Sequence, residues 1–331
     1  MNAILRPSYT APGAGWLLRH WGQTVLVEQL DQREVAYDPT GQRNWLRMRL
    51  ELRPRLTEPM AGTPAKKVHT LTFVVFPAGE YHLGSPEFEG GEEERDRAEV
   101  PRVLTISRPV AICDRETAFA LFDPFDAGAS RNRIQSDWGW ELTGDSPVSS
   151  ASWLEWVDFC RWLTSECYGA DEAWQSHPSH ERITVPEREI VVPGKMRSDR
   201  GGFRMPTESE WELAARGGQR TAYAFGGDVD LLADYGWYDR NAKKHPHATT
   251  QKRPTISGLY DAHGNLYEWT FDRRDQPQLP SLLVDFLGSD IGDGRILRGA
   301  AGPMPRIDLG RPFVMTMIHP ATALVSAFGS H

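Results

Sequence analysis

The sequence predicts an α+β fold, rich in loops and with little regular secondary structure. Its 331 residues include 12 tryptophans, 30 glycines and 24 prolines, a mixture that suits irregular backbone pinned by aromatic side chains and not a helical bundle. The helices that can be read are short and individually capped. The clearest strand alternates between apolar and charged residues.

Two segments carry most of the information. In GGFRMPTESEWELAARGG, Gly201 to Gly218, Pro206 stops the preceding chain, and Thr207 with Glu210 forms a capping box in which each side chain satisfies a backbone N–H at the helix start. Trp211, Ala214 and Ala215 then share a face, and Gly217 stands where a left-handed cap is needed. The second segment, GLYDAHGNLYEWT, Gly258 to Thr270, resembles the pattern GLYDMHGNVWEW of the formylglycine-generating enzyme, or sulfatase-modifying factor, family. That resemblance implies a C-type-lectin-like variant of the loop-rich fold.

From the N-terminus onward, each element has its own justification. Gly13–Gln23 sets Trp16, Leu17 and Trp21 at helical spacing and predicts a short helix, similar to the last helix of a helical-repeat segment; alone, it cannot bury its apolar face. Trp45–Arg53 places Leu46, Met48, Leu50 and Leu52 opposite Arg47, Arg49, Glu51 and Arg53, which is a half-buried strand. Residues 1–60 therefore read as an appendage of helix and strand, 61–68 as a linker that overlaps the Pro-containing stretch Arg55–Lys67, and 69–331 as the family-like module. Leu71–Pro86 resembles the family's opening strands, with a turn at Pro77-Ala78-Gly79. Glu87–Glu99 reads as a solvated acidic loop. Val100–Cys113 and Arg115–Phe122 are similar to the family's next strand and short helix. Ser152–Leu163 is a second capped helix, with Ser152 and Glu155 forming the box and Trp156, Phe159, Cys160 and Leu163 on one face, so Cys160 reads as a core thiol. Ala170–Arg200, rich in His, Glu and Pro without clear periodicity, reads as a surface insertion.

Composition excludes several function classes. A formal net charge of −8 opposes nucleic acid as the main partner, because phosphate binding needs a basic face. No segment is apolar over the roughly 18 residues a membrane span requires, and the first residues lack the apolar core of a signal peptide. Three cysteines with no CxxC pair point to a reducing cytoplasm, without a disulfide framework or a zinc site.

The resemblance also directs attention to what is missing. The family's oxidising enzymes hold copper with a late pair of cysteines, whose soft thiolates select Cu(I). Here no cysteine follows Cys167. The related sulfoxide-synthase branch draws histidine iron ligands largely from an N-terminal domain, yet His20 is the only histidine before residue 69. Neither copper nor iron is therefore expected. A structural calcium is: by position, the resemblance implies Asp261, the main-chain carbonyls of Gly264 and Leu266, and Glu268 as its oxygen ligands. The alternative is that Asp261 and Glu268 cap the turn through hydrogen bonds alone. A second family calcium would begin at Asp234 and Tyr235, but its distal acid is not found. His245, His247 and His263 read as loop histidines.

After Arg295–Gly299 the chain departs from the family's ending. Written in one permitted set of codons and read two nucleotides later, Gly310–His331 becomes a sequence similar to that ending, which implies a frameshift close to Arg298. Even the restored frame supplies no cysteine pair.

Three functions follow for comparison. The first is a non-catalytic recognition module of a bacterial signalling or defence system, with a protein or peptide partner such as a kinase, NTPase or protease. Its candidate ligand contacts are Trp138, Trp140, Trp237 and Tyr238, which equally suit a loop-rich core. The second is a cofactor-dependent oxidase of the formylglycine or sulfoxide-synthase kind, and the third a degraded fragment.

Overall fold

A computed structural model of the chain describes residues 16–20, 23–29, 46–52, 69–76, 78–84, 100–107, 110–168, 181–185, 188–192, 202–273, 281–288 and 294–299. Trp16–His20 (β1) and Gln23–Gln29 (β2) pair antiparallel, with His20 opposite Gln23. This corrects the helix expected at Gly13–Gln23. The β-branched residues Thr24, Val25 and Val27 favour extended backbone, and a hairpin gives the Trp16–His20 segment hydrogen-bond partners that a solitary two-turn helix lacks.

Leu46–Leu52 (β3) forms where alternation predicts it and pairs with both β2 and His69–Phe76 (β4). The sheet therefore crosses the boundary expected between appendage and module. Its order is β1-β2-β3-β4 and then Val110–Cys113 (β7), with Gly79–Leu83 (β5) and Arg102–Ile106 (β6) lying in a second, three-stranded sheet. The chain turns from the first sheet to the second between Phe76 and Gly79, as the Pro77-Ala78-Gly79 turn implies.

The period-two pleat of β4 divides the core. Leu71 and Phe73 face one cluster, built with Phe119, Phe122, Ile134, Phe159 and Leu163; Val74 and Phe76 face another, with Tyr81, Leu104, Leu213 and Leu259. Helices Phe119–Asp126 (α1), Ala129–Trp138 (α2) and Trp153–Tyr168 (α3) cover the first cluster. The helix expected at Arg115–Phe122 begins four residues late: the chain bends at Asp114 and Arg115, and Asp114 O and the Glu116 carboxylate are taken up by contacts to Tyr260, Asn265 and Leu266. At the start of α3 the expected box is present: Glu155 N donates to Ser152 Oγ at 3.3 Å, and Ser152 N to Glu155 Oε2 at 2.6 Å. Cys160 is buried, as its helical position predicts. Within the insertion Ala170–Arg200, Glu181–Val185 (β8) and Arg188–Val192 (β9) pair antiparallel, regular structure that the absence of clear periodicity does not predict.

Glu208–Arg216 (α4) has the predicted capping box, and Gly217 adopts φ 58°. A Cβ there would stand 2.6 Å from Ile256 Cγ2, so packing as well as conformation requires glycine. Its charged face is buried too: Arg204 makes two 2.6 Å hydrogen bonds to Glu210, and Arg216 pairs with Glu212 at 2.9 Å. After Leu232–Tyr235 (α5), Tyr267–Arg273 (β10) pairs with Arg295–Gly299 (β12), and Leu282–Val284 (β11) joins β6 in parallel. The expected linker, the acidic loop at Glu87–Glu99 and the atypical end from Ala300 lie outside the described residues.

Candidate functional site

Gly258–Leu266, the last part of the long connection from α5 to β10, is a turn assembled by backbone geometry that its sequence permits. Asp261 and Asn265 have φ 59° and 63°, values that Asp and Asn tolerate better than most residues. Gly264, at φ 118°, lies flush against Trp237, where a Cβ would come within 2.1 Å of a carbonyl oxygen. Asn265 N donates to Trp237 O at 2.9 Å, and the Asn265 side chain bridges both main-chain groups of His247.

Of the two expected acidic ligands, Asp261 lies on this turn with Gly264 and Leu266, and Glu268 is the second residue of β10. Asp261 is buried and accepts a hydrogen bond from Thr250 N at 2.8 Å through Oδ2, as a capping residue would. Its other oxygen, Oδ1, is buried without a hydrogen-bond partner. Burial pushes the Asp261 carboxyl up to about 6, against the opposing effects of the Thr250 N–H and Arg115. Glu268 rises to about 7, again mainly through burial, with Asp261 repelling it and the Trp211 side chain partly compensating. The Leu266 carbonyl abuts Gly299, whose Cβ, if present, would lie 2.5 Å away.

A third carboxylate belongs to this constellation, and sequence reasoning missed it. Glu116, between β7 and α1, accepts from Asn265 Nδ2 at 2.7 Å and from Leu266 N at 3.0 Å. Burial, then the charges of Asp261 and Glu268, hold it well above the usual carboxylate range. No local spacing links residues 149 and 150 positions apart, so no sequence pattern could have found the contact. Among the described residues, no group of three or more His, Cys, Asp or Glu side chains is arranged to hold a metal ion by itself. A cation at this turn would therefore depend on main-chain carbonyls, the donor set implied by the family resemblance. One orphaned buried carboxylate oxygen and a supply of hard oxygen donors fit calcium.

Around Asp234 the electrostatics run the other way. Arg253 pairs with Asp234 at 3.8 Å, and Lys252 Nζ donates to Ala233 O at 2.6 Å while lying 3.9 Å from the Trp237 ring centroid. Two cations beside the Asp234–Tyr235 pair oppose a divalent ion there. The ring of His247 stacks on Trp237 at 3.7 Å and that of His245 lies 4.4 Å from His247, whereas His263 packs edge-on to Tyr223 and Phe225.

The four aromatic candidates do not gather at one place. Trp138 and Trp140 pair at 5.7 Å, and no ring contact among the described residues joins them to Trp237 or Tyr238. Trp140 packs against the first core cluster, but Trp138 remains 44% exposed. Trp237 is sandwiched between His247 and Lys252, and Tyr238 packs beside Tyr223 and Leu232. Of the four, Trp138 is the one whose ring is most open to a ligand.

The thiols are equally telling. Cys113 and Cys160 are both pushed up to about 12, Cys113 by burial and the Asp114 charge, Cys160 by burial. Neither provides a thiolate near neutral pH.

The turn, the capped α4 and the two-sheet core agree with a family comparison: residues 60–304 match the sulfatase-modifying factor enzyme 1-like domain. The chain belongs to this family. Among its sulfatase-modifying-factor relatives, the formylglycine-generating enzyme of Streptomyces coelicolor is 28% identical over 267 residues, covering 72% of this chain and 81% of that enzyme. The serine/threonine-protein kinase Pkn1 of Chlamydia trachomatis serovar L2 is 35% identical over 114 residues, covering 33% of this chain but only 17% of the kinase. Among solved structures, Treponema denticola variable protein 1 shares the fold with a TM-score of 0.52 at 23% identity, over 71% of this chain and 87% of that one. No helix among the described residues is long and apolar enough to cross a membrane.

Proposed function

We propose that this chain is a non-catalytic recognition module built on the sulfatase-modifying-factor fold, acting in the cytoplasm beside a bacterial signalling or defence protein. The observation that carries the reading is chemical: no cysteine follows Cys167, and the described thiols, half-buried Cys113 and buried Cys160, are both pushed up to about 12. Copper-based oxidation requires paired soft thiolates. The partner is a protein or peptide, and a kinase, NTPase or protease fits best; the likeness to part of the Chlamydia kinase supports that class.

Calcium is proposed as a structural ion. Asp261 Oδ1, the Gly264 and Leu266 carbonyls and Glu268 would hold it, and its charge would offset the repulsion between the two buried carboxylates. Trp138, backed by Trp140, supplies an exposed aromatic contact for the partner, with Trp237 and Tyr238 in supporting positions.

A second reading, a cofactor-dependent oxidase, is favoured by the name of the Streptomyces relative and opposed by the cysteine count. Affinity capture with the full chain, using Trp138→Ala as the matched control, tests the recognition reading. Specific enrichment of a kinase, NTPase or protease by the native chain, lost in the variant, is expected. Equal recovery with both, or no recovery, counts against it.

A further inference from the structure

The segment Asp114-Arg115-Glu116 is seated along the proposed calcium turn by three successive contacts. Asp114 O accepts from Tyr260 N at 2.7 Å, the Arg115 guanidinium lies 5.7 Å from the Tyr260 ring centroid, and Glu116 takes Asn265 Nδ2 and Leu266 N. Each belongs to a part of the chain remote in sequence from the other. The strip is itself fixed to the first sheet, because Asp114 N donates to Thr72 O at 2.9 Å.

Glu116 makes the most specific of these contacts. Its two carboxylate oxygens divide their work: Oε2 holds the Asn265 side chain and Oε1 the Leu266 amide. Both interactions act at the segment between the Gly264 and Leu266 carbonyls. An acceptor-only group is required, since each partner offers an N–H. Gln at this position would present an amide donor to one of them and would also remove the charge.

We propose that Glu116 is the positioning residue of the calcium turn, coupling cation binding to the docking of the β7–α1 connection. The inference rests on the calcium reading above and extends it to a residue outside the turn. Glu116 fixes Asn265 and Leu266 so that the neighbouring carbonyls are held for the cation, and a bound cation in turn favours the arrangement in which Glu116 is docked on Asn265 and Leu266. Binding at the turn therefore tightens the attachment of a strip about 150 residues earlier in the chain.

The test compares thermal unfolding of the full chain in EDTA and in CaCl2, with calorimetric titration of calcium, for the native protein, Glu116→Gln, Asn265→Gly and Leu163→Ala. Asn265→Gly removes the side-chain contact to Glu116, together with the bridge to His247, and leaves the Leu266 N contact, while tolerating the positive φ, so it serves even if Glu116→Gln fails to fold. Leu163→Ala lowers stability in the distant first core cluster and controls for general destabilisation. The native chain and Leu163→Ala are expected to gain thermal stability with calcium. Glu116→Gln and Asn265→Gly should bind calcium about 10- to 100-fold more weakly and lose most of that gain. Native-like calcium affinity in either Glu116→Gln or Asn265→Gly overturns the role of Glu116 and leaves the calcium site standing. A native chain with no calcium response overturns the calcium reading, and the coupling falls with it.

Discussion

Arg298 places a guanidinium nitrogen 2.7 Å from Glu208 Oε1, with only 6% and 7% of the two side chains exposed. The same nitrogen lies 3.5 Å from Glu212, which also receives Arg216 and the Gly84 amide. One arginine on β12 thus ties the last described strand to α4 and to the β5 end. Replacing it leaves two carboxylates buried with diminished compensation. Arg298→Ala is expected to destabilise the protein by about 3–5 kcal/mol in chemical unfolding. A loss of less than about 1 kcal/mol would mean that β12 is not anchored through this charge.

The buried carboxylates of α4 set the acid limit of stability. Burial alone would raise Glu210 and Glu212, but Arg204 with Thr207 outweighs it at Glu210, and Arg298 with Arg216 and Gly84 outweighs it at Glu212, so both lie below the ordinary value of 4.5. A depressed folded pKa contributes stability that is fully present above the unfolded value and disappears as pH falls through the folded one. Urea midpoints should therefore drop below pH 4.5 through these groups. In Glu210→Gln and Glu212→Gln the acid limb should flatten; limbs as steep as the native one would contradict this assignment.

Gly217 combines a left-handed backbone with contact against Ile256. Gly217→Ala is expected to lower stability by more than about 1 kcal/mol, visible as a reduced melting temperature by circular dichroism. An unchanged melting temperature would show that the α4 cap does not need glycine.

Cys113 and Cys160 should resist alkylation. In native protein treated with iodoacetamide at pH 8, peptide mapping should find both unmodified, and both modified after denaturation. Rapid native labelling of either would show that its thiol is accessible and ionised.

What was legible in the sequence was local. The boxes Thr207–Glu210 and Ser152–Glu155 could be read because donor and acceptor lie within one helical turn. The spacing of Trp16, Leu17 and Trp21 predicts a helix where the chain forms a strand, because Trp16–His20 acquires its extended form from its neighbour Gln23–Gln29. The hairpin of Glu181–Val185 with Arg188–Val192 is not legible, because Ile190, Val191 and Val192 are consecutive and break any period-two pattern. The candidate acidic ligands Asp261 and Glu268 both come from one contiguous motif. Glu116 could not, since only the folded chain brings it to Leu266, and the buried charges of α4 were equally silent because α4 reads as amphipathic while Arg204, Asp272 and Arg298 cover its polar side.

The most direct measurement is turnover. Homogeneous full-length protein, incubated with Cu(I), oxygen and a cysteine peptide carrying a sulfatase-type modification sequence, should consume no oxygen above the metal-only control and form no aldehyde detectable by mass spectrometry. Stoichiometric conversion of the peptide cysteine to an aldehyde over many cycles would show that this chain performs the oxidation without the cysteine pair, and would contradict its assignment as a recognition module.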